Sequence, residues 1–188
     1  AVIIDTRSRA LFLARHVRGS LLAERAYQFV NITGSYIAED APMYLVVDAA
    51  ALEAAVRDLL RIGLDDVRGW VTPEEYEAWL KTAVAVATIP NIKMDELESK
   101  RHEGGYTILD VRGKVDFVQK HIPGAINVAH TRLPARIHEI PRDKPVLVHC
   151  NSGARSAHAV ALLEREGYAV TNVADMFANW KEAVPVGA

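Results

Sequence analysis

Short runs of branched aliphatic residues recur along the chain, and stretches that favour a helix follow them. Residues 108–111 and Val146–His149 have the composition of buried strands, whereas residues 116–120 and 156–166 favour helices. This alternation predicts an α/β fold in which each domain has a central, mainly parallel sheet flanked by helices. In such sheets, reactive residues lie at the carboxyl ends of the strands.

The pattern repeats after 105 residues. Asp5-Thr6-Arg7 and Asp110-Val111-Arg112 both follow aliphatic strands, and a Phe and a His recur at matching positions as Phe12 and His16, then Phe117 and His121. A period of this length indicates duplicated domains rather than a solenoid. We therefore expect two domains, residues 1–86 and 87–188, joined near residues 83–90.

The two copies are expected to differ in two places. Residues 92–102 open the second copy, but nothing before Val2 matches them, so the first copy is expected to be truncated at its start. Residues 43–47 are predicted to match the strand at 145–149. Residues 48–52 then fall where the second copy has its loop, and they contain no Cys, Gly or Arg.

The only cysteine, Cys150, lies where an apolar strand ends and a helix begins. The predicted site is the loop of Cys150, Asn151, Ser152, Gly153, Ala154, Arg155 and Ser156. Ser152 and Gly153 allow tight curvature, so that successive N–H groups converge on the sulfur. The helix dipole and Arg155 then favour a reactive thiolate. The alternative is a buried, inert cysteine.

Composition and charge narrow the classes of partner. The chain has 188 residues, 50% hydrophobic and 24% charged, with a net charge of −2 and a pI near 6.4. We expect neither nucleic acid nor a membrane as a partner, because both need a basic or long apolar surface. A single cysteine excludes an internal disulfide and favours a cytoplasmic location. The composition is compatible with a homo-oligomer.

The second copy resembles the rhodanese family of sulfurtransferases. The resemblance rests on Asp110-Val111-Arg112, on residues 117–127 with His121-Ile122-Pro123-Gly124, and on the loop at residues 150–156. It implies rhodanese-like α/β domains and a catalytic cysteine that cycles between thiolate and persulfide. Lys120 departs from the pattern, in which Gly often precedes the His.

The first copy resembles a rhodanese unit that has lost its chemistry. Residues 29–34, 45–48 and 63–70 are similar to the degenerate unit of proteins in which a metallo-β-lactamase-fold persulfide dioxygenase domain precedes two rhodanese units. This implies an upstream domain as a partner and a longer polypeptide. The seven histidines have no close metal-ligand spacing, so no cofactor or metal is expected within these residues.

The resemblance implies a sulfurtransferase with Cys150 and Arg155 as catalytic residues and Asn151 to Ser156 as the substrate-binding loop. The donor is thiosulfate or a low-molecular-weight persulfide, and the acceptor is a thiol or cyanide. One alternative is a sulfur carrier or scaffold for the upstream domain. Another is a phosphatase or arsenate reductase, but those relatives have five residues between Cys and Arg, and this loop has four.

Other residues invite a structural interpretation. We expect Asp110 and Arg112 to form a buried charge pair. His149 should face away from Cys150, because adjacent strand residues point to opposite faces. Phe177 and Trp180 could cover the donor pocket or pack in the core. In the first copy, three aromatic residues are expected in the core, namely Trp70, Tyr76 and Trp79.

Overall fold

A computed structural model of the chain describes residues 1–83 and 85–181. Val84, in the predicted joint, and residues 182–188, in the predicted second domain, lie outside the described residues. Within that part of the chain the strands are β1 (Val2–Asp5), β2 (His16–Val17), β3 (Leu21–Leu22), β4 (Met43–Val46), β5 (Val67–Val71), β6 (Val86–Ala87), β7 (Asn91–Ile92), β8 (Thr107–Asp110), β9 (Ile126–Asn127), β10 (Val146–His149) and β11 (Val170–Val173). The α-helices are α1 (Arg9–Ala14), α2 (Phe29–Tyr36), α3 (Leu52–Leu60), α4 (Pro73–Leu80), α5 (Met94–Glu103), α6 (Lys114–Gln119), α7 (Leu133–Arg136) and α8 (Ala154–Arg165).

The described strands form two parallel sheets. The first has the order β3-β1-β4-β5, and the second has the order β7-β11-β10-β8-β9. β2 and β6 pair separately as a short antiparallel ribbon. The predicted α/β fold with mainly parallel sheets flanked by helices is therefore confirmed.

Both sheets carry the same buried charge pair at the end of a central strand. Arg7 Nε and Nη2 donate to the Asp5 carboxylate at 3.0 and 2.6 Å, and Arg112 makes the same two contacts to Asp110 at 3.0 and 2.6 Å. All four residues are buried. The expected pairing of Asp110 with Arg112 is thus present, and it occurs in both halves.

A stacked Phe and His follow each charge pair. The rings of Phe12 and His16 lie 4.0 Å apart, and those of Phe117 and His121 lie 4.1 Å apart. In both pairs the histidine Nδ1 lies within hydrogen-bonding distance of the phenylalanine carbonyl, at 2.7 and 2.9 Å. The repeated letters of the sequence therefore correspond to repeated contacts.

Strand register corrects the predicted match of the two copies by one residue. Each of β4 and β10 places its first residue opposite the first residue of its central neighbour, β1 or β8. Met43 therefore matches Val146, whereas the sequence pattern predicts a match with Pro145. Val47, not Asp48, falls at the place of Cys150. The sequence pattern does not fix this alignment, because residues 43–47 are apolar throughout. Only the pairing with β1 determines the register of β4.

The two halves share one continuous core. α8 contacts β10 and β11 in the second half and also β3 and α1 in the first. Val160 and Leu163 of α8 belong to the same buried cluster as Leu22 and Phe12. The helix that begins at the loop with the cysteine is therefore held from both sides.

The chain crosses from the first half to the second at residues 89 and 90. The Ile89 N–H donates to the Leu13 carbonyl at 2.9 Å, and the Pro90 carbonyl accepts from the Asn172 N–H at 2.9 Å. β6, just before this point, pairs with β2 of the first half.

The expectation that the first-half aromatic residues are core residues is partly wrong. Tyr76 is buried, but Trp70 and Trp79 are 42% and 51% exposed. The reason is that no element of the described residues covers this face of β5 and α4. In the second half, Phe177 and Trp180 are both buried in a core cluster.

Replacing Arg112 with Met should lower the free energy of unfolding by about 3–5 kcal/mol, because Asp110 would remain buried without its cation. Arg68→Met is the matched control. Arg68 also binds the aspartate two residues before it, Asp66, with contacts of 2.9–3.2 Å, but its side chain is 57% exposed. Urea unfolding should show almost no loss in this control. Equal losses in the two variants would contradict the assigned importance of burial.

Candidate active site

The loop with the cysteine connects a central strand to a long helix. Cys150 follows β10 directly, and α8 begins at Ala154. β10 lies between β8 and β11, and all four of its residues are buried. Cys150 therefore lies at the carboxyl end of the sheet, where parallel α/β sheets bind ligands.

Gly153 determines how tightly the loop can turn. It has a φ of 80°, in the left-handed region, and precedes the first residue of α8. A Cβ at this position would lie 2.8 Å from the Cα of Ala174, which follows β11. Both the backbone angle and the close approach of Ala174 require glycine here.

Cys150 is buried, whereas the two residues after it are exposed. Cys150 is 1% exposed, and its Sγ lies 3.6 Å from the Oγ of Ser156, which is also buried. Asn151 and Ser152 are exposed, so they form the solvent side of the loop. The Asn151 carbonyl accepts a hydrogen bond from the Phe177 N–H at 2.9 Å, which ties the loop to the segment after β11.

The start of α8 provides a favourable electrostatic environment for an anion. The first N–H groups of a helix have no carbonyl partner within it, and the helix dipole is positive at this end. The first turn of α8 contains no acidic residue. A negative charge on Cys150, or on a group bound to its sulfur, is therefore stabilised by this end of the helix.

Arg155 lies at the edge of the loop and points toward α6. Its Nη1 lies 3.9 Å from Oδ2 of Asp116, and its side chain is 23% exposed. Asp116 could not be predicted from the sequence, because an isolated acidic residue in a short helix belongs to no motif. The partner is half exposed, so the contact is weak and solvent-screened. An incoming anion can therefore compete for the guanidinium.

His130 is a second neighbour of Arg155 that the sequence analysis missed. It begins a 3-10 turn, and its N–H donates to the Val111 carbonyl beyond β8 at 3.1 Å. Burial, and then the positive charges of Arg155 and His158, lower the pKa of His130 to about 4. Its buried Nδ1 has no hydrogen-bond partner among the described residues. His130 is therefore a neutral imidazole near the loop at physiological pH.

His149 is a structural residue. Its ring is fully buried and stacks on Phe177 at 5.5 Å, and its Nε2 lies 3.6 Å from Asp110 Oδ2. Burial lowers its pKa, which outweighs the opposite effect of Asp110, so the ring is neutral at physiological pH. The contact with Asp110 is therefore not an ion pair. These contacts agree with a packing role for His149.

Among residues 1–83 and 85–181, no group of three or more His, Cys, Asp or Glu side chains is arranged to hold a metal ion. No helix in the same part of the chain has the length and apolarity needed to cross a membrane.

Comparison with known proteins identifies the second half. Residues 93–183 match the rhodanese-like domain family. The protein YqhL of Bacillus subtilis, which is uncharacterized, is 33% identical over 91 residues, 46% of this chain and 72% of that protein. The chain belongs to the rhodanese family.

Two further proteins are similar to part of the chain. A sulfurtransferase of Allochromatium vinosum is 39% identical over 61 residues, covering 32% of this chain and 57% of that protein. A rhodanese-related protein of Thermoplasma volcanium is 30% identical over 48% of this chain and 89% of its own, with a TM-score of 0.45. The chain spans little more than half the length of the Allochromatium protein.

The first half lacks the site of the rhodanese-like domain. Val47, fully buried, follows β4 as Cys150 follows β10. A 3-10 turn, Ala49–Ala51, then leads directly into α3. This segment provides neither a nucleophile nor a glycine turn, so the first half has no counterpart of the loop at Cys150.

Gly153→Ala should destabilise the rhodanese-like domain more than Gly167→Ala. Both glycines have a positive φ, 80° and 84°, so both variants incur a backbone cost of about 1–2 kcal/mol. A Cβ at Gly167 meets nothing within 4 Å, whereas at Gly153 it meets the backbone of Ala174. Thermal unfolding of the two variants measures the difference. Equal shifts would show that the loop does not need the close approach.

Stability should fall as the pH is lowered from about 6.5 toward 4. Burial lowers the pKa values of His130, His149 and His158, so the unfolded chain takes up protons in this range before the folded chain does. Urea unfolding across this range measures the slope, and His130→Leu should make it shallower. An unchanged slope in that variant would contradict the neutral, buried state of His130.

Proposed function

We propose that this protein is a sulfurtransferase that moves sulfane sulfur through a persulfide on Cys150. The observation that carries the proposal is the placement of the only cysteine at the start of α8, inside a domain of the rhodanese family. The name of the Allochromatium relative supports the same activity. Cys150 and Arg155 are the proposed catalytic residues, and residues 151–154 and 156 form the substrate-binding loop.

The proposed reaction has two displacement steps. The Cys150 thiolate attacks the outer sulfur of the donor, and the new S–S bond forms as the donor's own bond to that sulfur breaks. The donor leaves as a thiolate or, if it is thiosulfate, as sulfite. An acceptor thiol or cyanide then attacks the outer sulfur of the persulfide, which restores the Cys150 thiolate. No external oxidant or reductant is required.

The loop would stabilise the charged species of both steps. The N–H groups of residues 151–156 would surround the outer sulfur of the proposed intermediate, and the positive end of α8 would favour its negative charge. Arg155 would exchange Asp116, 3.9 Å away, for an anionic group of the donor. Ser156, 3.6 Å from Sγ, would contact the inner sulfur.

The proposed organisation is two rhodanese-like units, residues 1–86 and 87–188, of which only the second is reactive. The repeated charge pairs, stacked rings and strand registers support this division. An upstream metallo-β-lactamase-fold domain belongs to the same proposal and rests on the resemblance of the first half to degenerate units.

A second candidate function is a sulfur carrier that holds sulfur on Cys150 without turnover. Burial of Cys150, which is 1% exposed, favours storage because it shields a bound sulfur from solvent. The two functions differ in the second step, since a carrier would form the persulfide but would not release its sulfur repeatedly to a small acceptor.

Cys150→Ser should abolish sulfur transfer, since no other residue of the chain can form a persulfide. Transfer from thiosulfate or glutathione persulfide to cyanide, followed over many turnovers, measures the effect. The urea midpoint of the variant serves as the control for folding. More than trace activity in a folded variant would refute the assignment. A single turnover by the unaltered chain would favour the carrier.

The preferred donor should be a low-molecular-weight persulfide rather than thiosulfate. Asn151 is neutral and exposed, so Arg155 is the only cation that the loop itself offers to a small dianion. Asn151→Arg should raise kcat/KM for thiosulfate about tenfold, the value of one charge-assisted contact. Asn151→Gln, the neutral control, should leave kcat/KM for thiosulfate unchanged. Arg155→Ala should lower kcat/KM for both donors. Higher kcat/KM of the unaltered chain with thiosulfate would overturn the donor assignment.

A further inference from the structure

An apolar groove of about 440 Å³ opens on one face of the first sheet. Ile3 and Tyr44 form its floor, and Trp70, Tyr76 and Trp79 form its walls. Three of these aromatic side chains, those of Tyr44, Trp70 and Trp79, are between 42% and 51% exposed. The groove is remote in sequence from the loop at Cys150, and no residue of that loop lines it.

The matching face of the second sheet is covered by α5. Ile3 and Tyr44 lie opposite each other in the first sheet as Ile108 and Leu147 do in the second. Ile108 and Leu147 are buried in one cluster with Met94 and Leu97, which are both fully buried. The second half therefore shows what kind of element fits this face.

The aromatic walls are also repeated. Tyr76 stacks on Trp79 at 6.1 Å, and Phe177 stacks on Trp180, again three residues later, at 5.9 Å. Trp180 is buried, and its indole N–H donates to Glu98 of α5 at 2.9 Å. Trp79, in the same place, is 51% exposed. In the second half, the indole N–H of Trp180 is paired with a carboxylate. The groove has the indole of Trp79 at the matching position.

The edge of the first sheet also corresponds to a part of the second sheet. β7 pairs in parallel with β11 and leads into α5. β5 takes the place of β11 in the first sheet, and among the described residues it pairs only with β4. An extended segment can therefore add to β5 as β7 adds to β11.

We propose that the groove is a docking site for a strand–helix segment that leads into β1, as β7 and α5 lead into β8. The segment adds a short parallel strand to β5. Its helix presents two apolar side chains three residues apart to Ile3 and Tyr44, in the manner of Met94 and Leu97. A carboxylate one position further on, like Glu98, accepts the Trp79 N–H. This proposal does not depend on the activity of Cys150.

The test grafts the second half's own segment onto the first. A copy of residues 90–105 is placed directly before Ala1, so that Ala1 takes the place of Tyr106 and Val2 that of Thr107. The grafted chain should unfold about 5 °C higher than the ungrafted chain, because buried apolar side chains are added to the same core. Acrylamide quenching of tryptophan fluorescence should decrease as Trp70 and Trp79 become covered.

Two controls separate docking from a general effect of added residues. The same graft with Asp at the copied positions of Met94 and Leu97 should neither raise the unfolding temperature nor reduce acrylamide quenching. In the grafted chain, Trp79→Ala should remove most of the gain, whereas Val118→Ala, at an exposed apolar residue outside the groove, should not.

Equal unfolding temperatures for the graft and its Asp control would overturn the proposal. A dimer of the ungrafted chain that Trp79→Asp dissociates would also overturn it, because a second copy would then cover the groove. Sulfur transfer by Cys150 is measured in the same samples, and its presence or absence leaves the conclusion on docking unchanged.

Discussion

The close approach of Gly153 to the backbone of Ala174 is the constraint on which the candidate site depends. A side chain at Gly153 would collide with Ala174, and the positive φ of 80° turns the chain from β10 into α8 within a few residues. This turn places Cys150 at the positive end of a twelve-residue helix. Without it, the sulfur would remain at the end of a buried strand with no group to stabilise a negative charge.

The two halves show that scaffold and chemistry are separable in this fold. Asp5 with Arg7 and Asp110 with Arg112 make the same contacts, although only the second half contains a cysteine. The charge pair therefore belongs to the scaffold that both halves share. The first half supports the second directly, because α8 packs between the two sheets in a shared core.

Much of the fold and the position of the site could be predicted from the sequence. The parallel α/β architecture follows from the alternation of apolar strands and helices, and the junction at Cys150 follows from a strand, a glycine and a helix in succession. These features are local, so the pattern of residues determines them. The pairing of Asp110 with Arg112 is predictable for the same reason, because the two residues are only two positions apart.

The remaining features depend on packing between distant segments. The one-residue register of β4 follows from its pairing with β1, which an apolar run does not reveal. The exposure of Trp70 and Trp79 follows from the lack of a covering helix in the described residues. The proximity of His130 and Asp116 to Arg155 results from three separate elements meeting at one end of the sheet, and no spacing in the sequence indicates it.

Intact mass measurement of the chain after exposure to a sulfur donor shows whether Cys150 forms a persulfide. We expect the addition of one sulfur atom per chain, located at Cys150 by fragmentation, and its loss when cyanide is added. Sulfur bound at another residue, or a chain that takes up none from either thiosulfate or glutathione persulfide, would refute the persulfide mechanism.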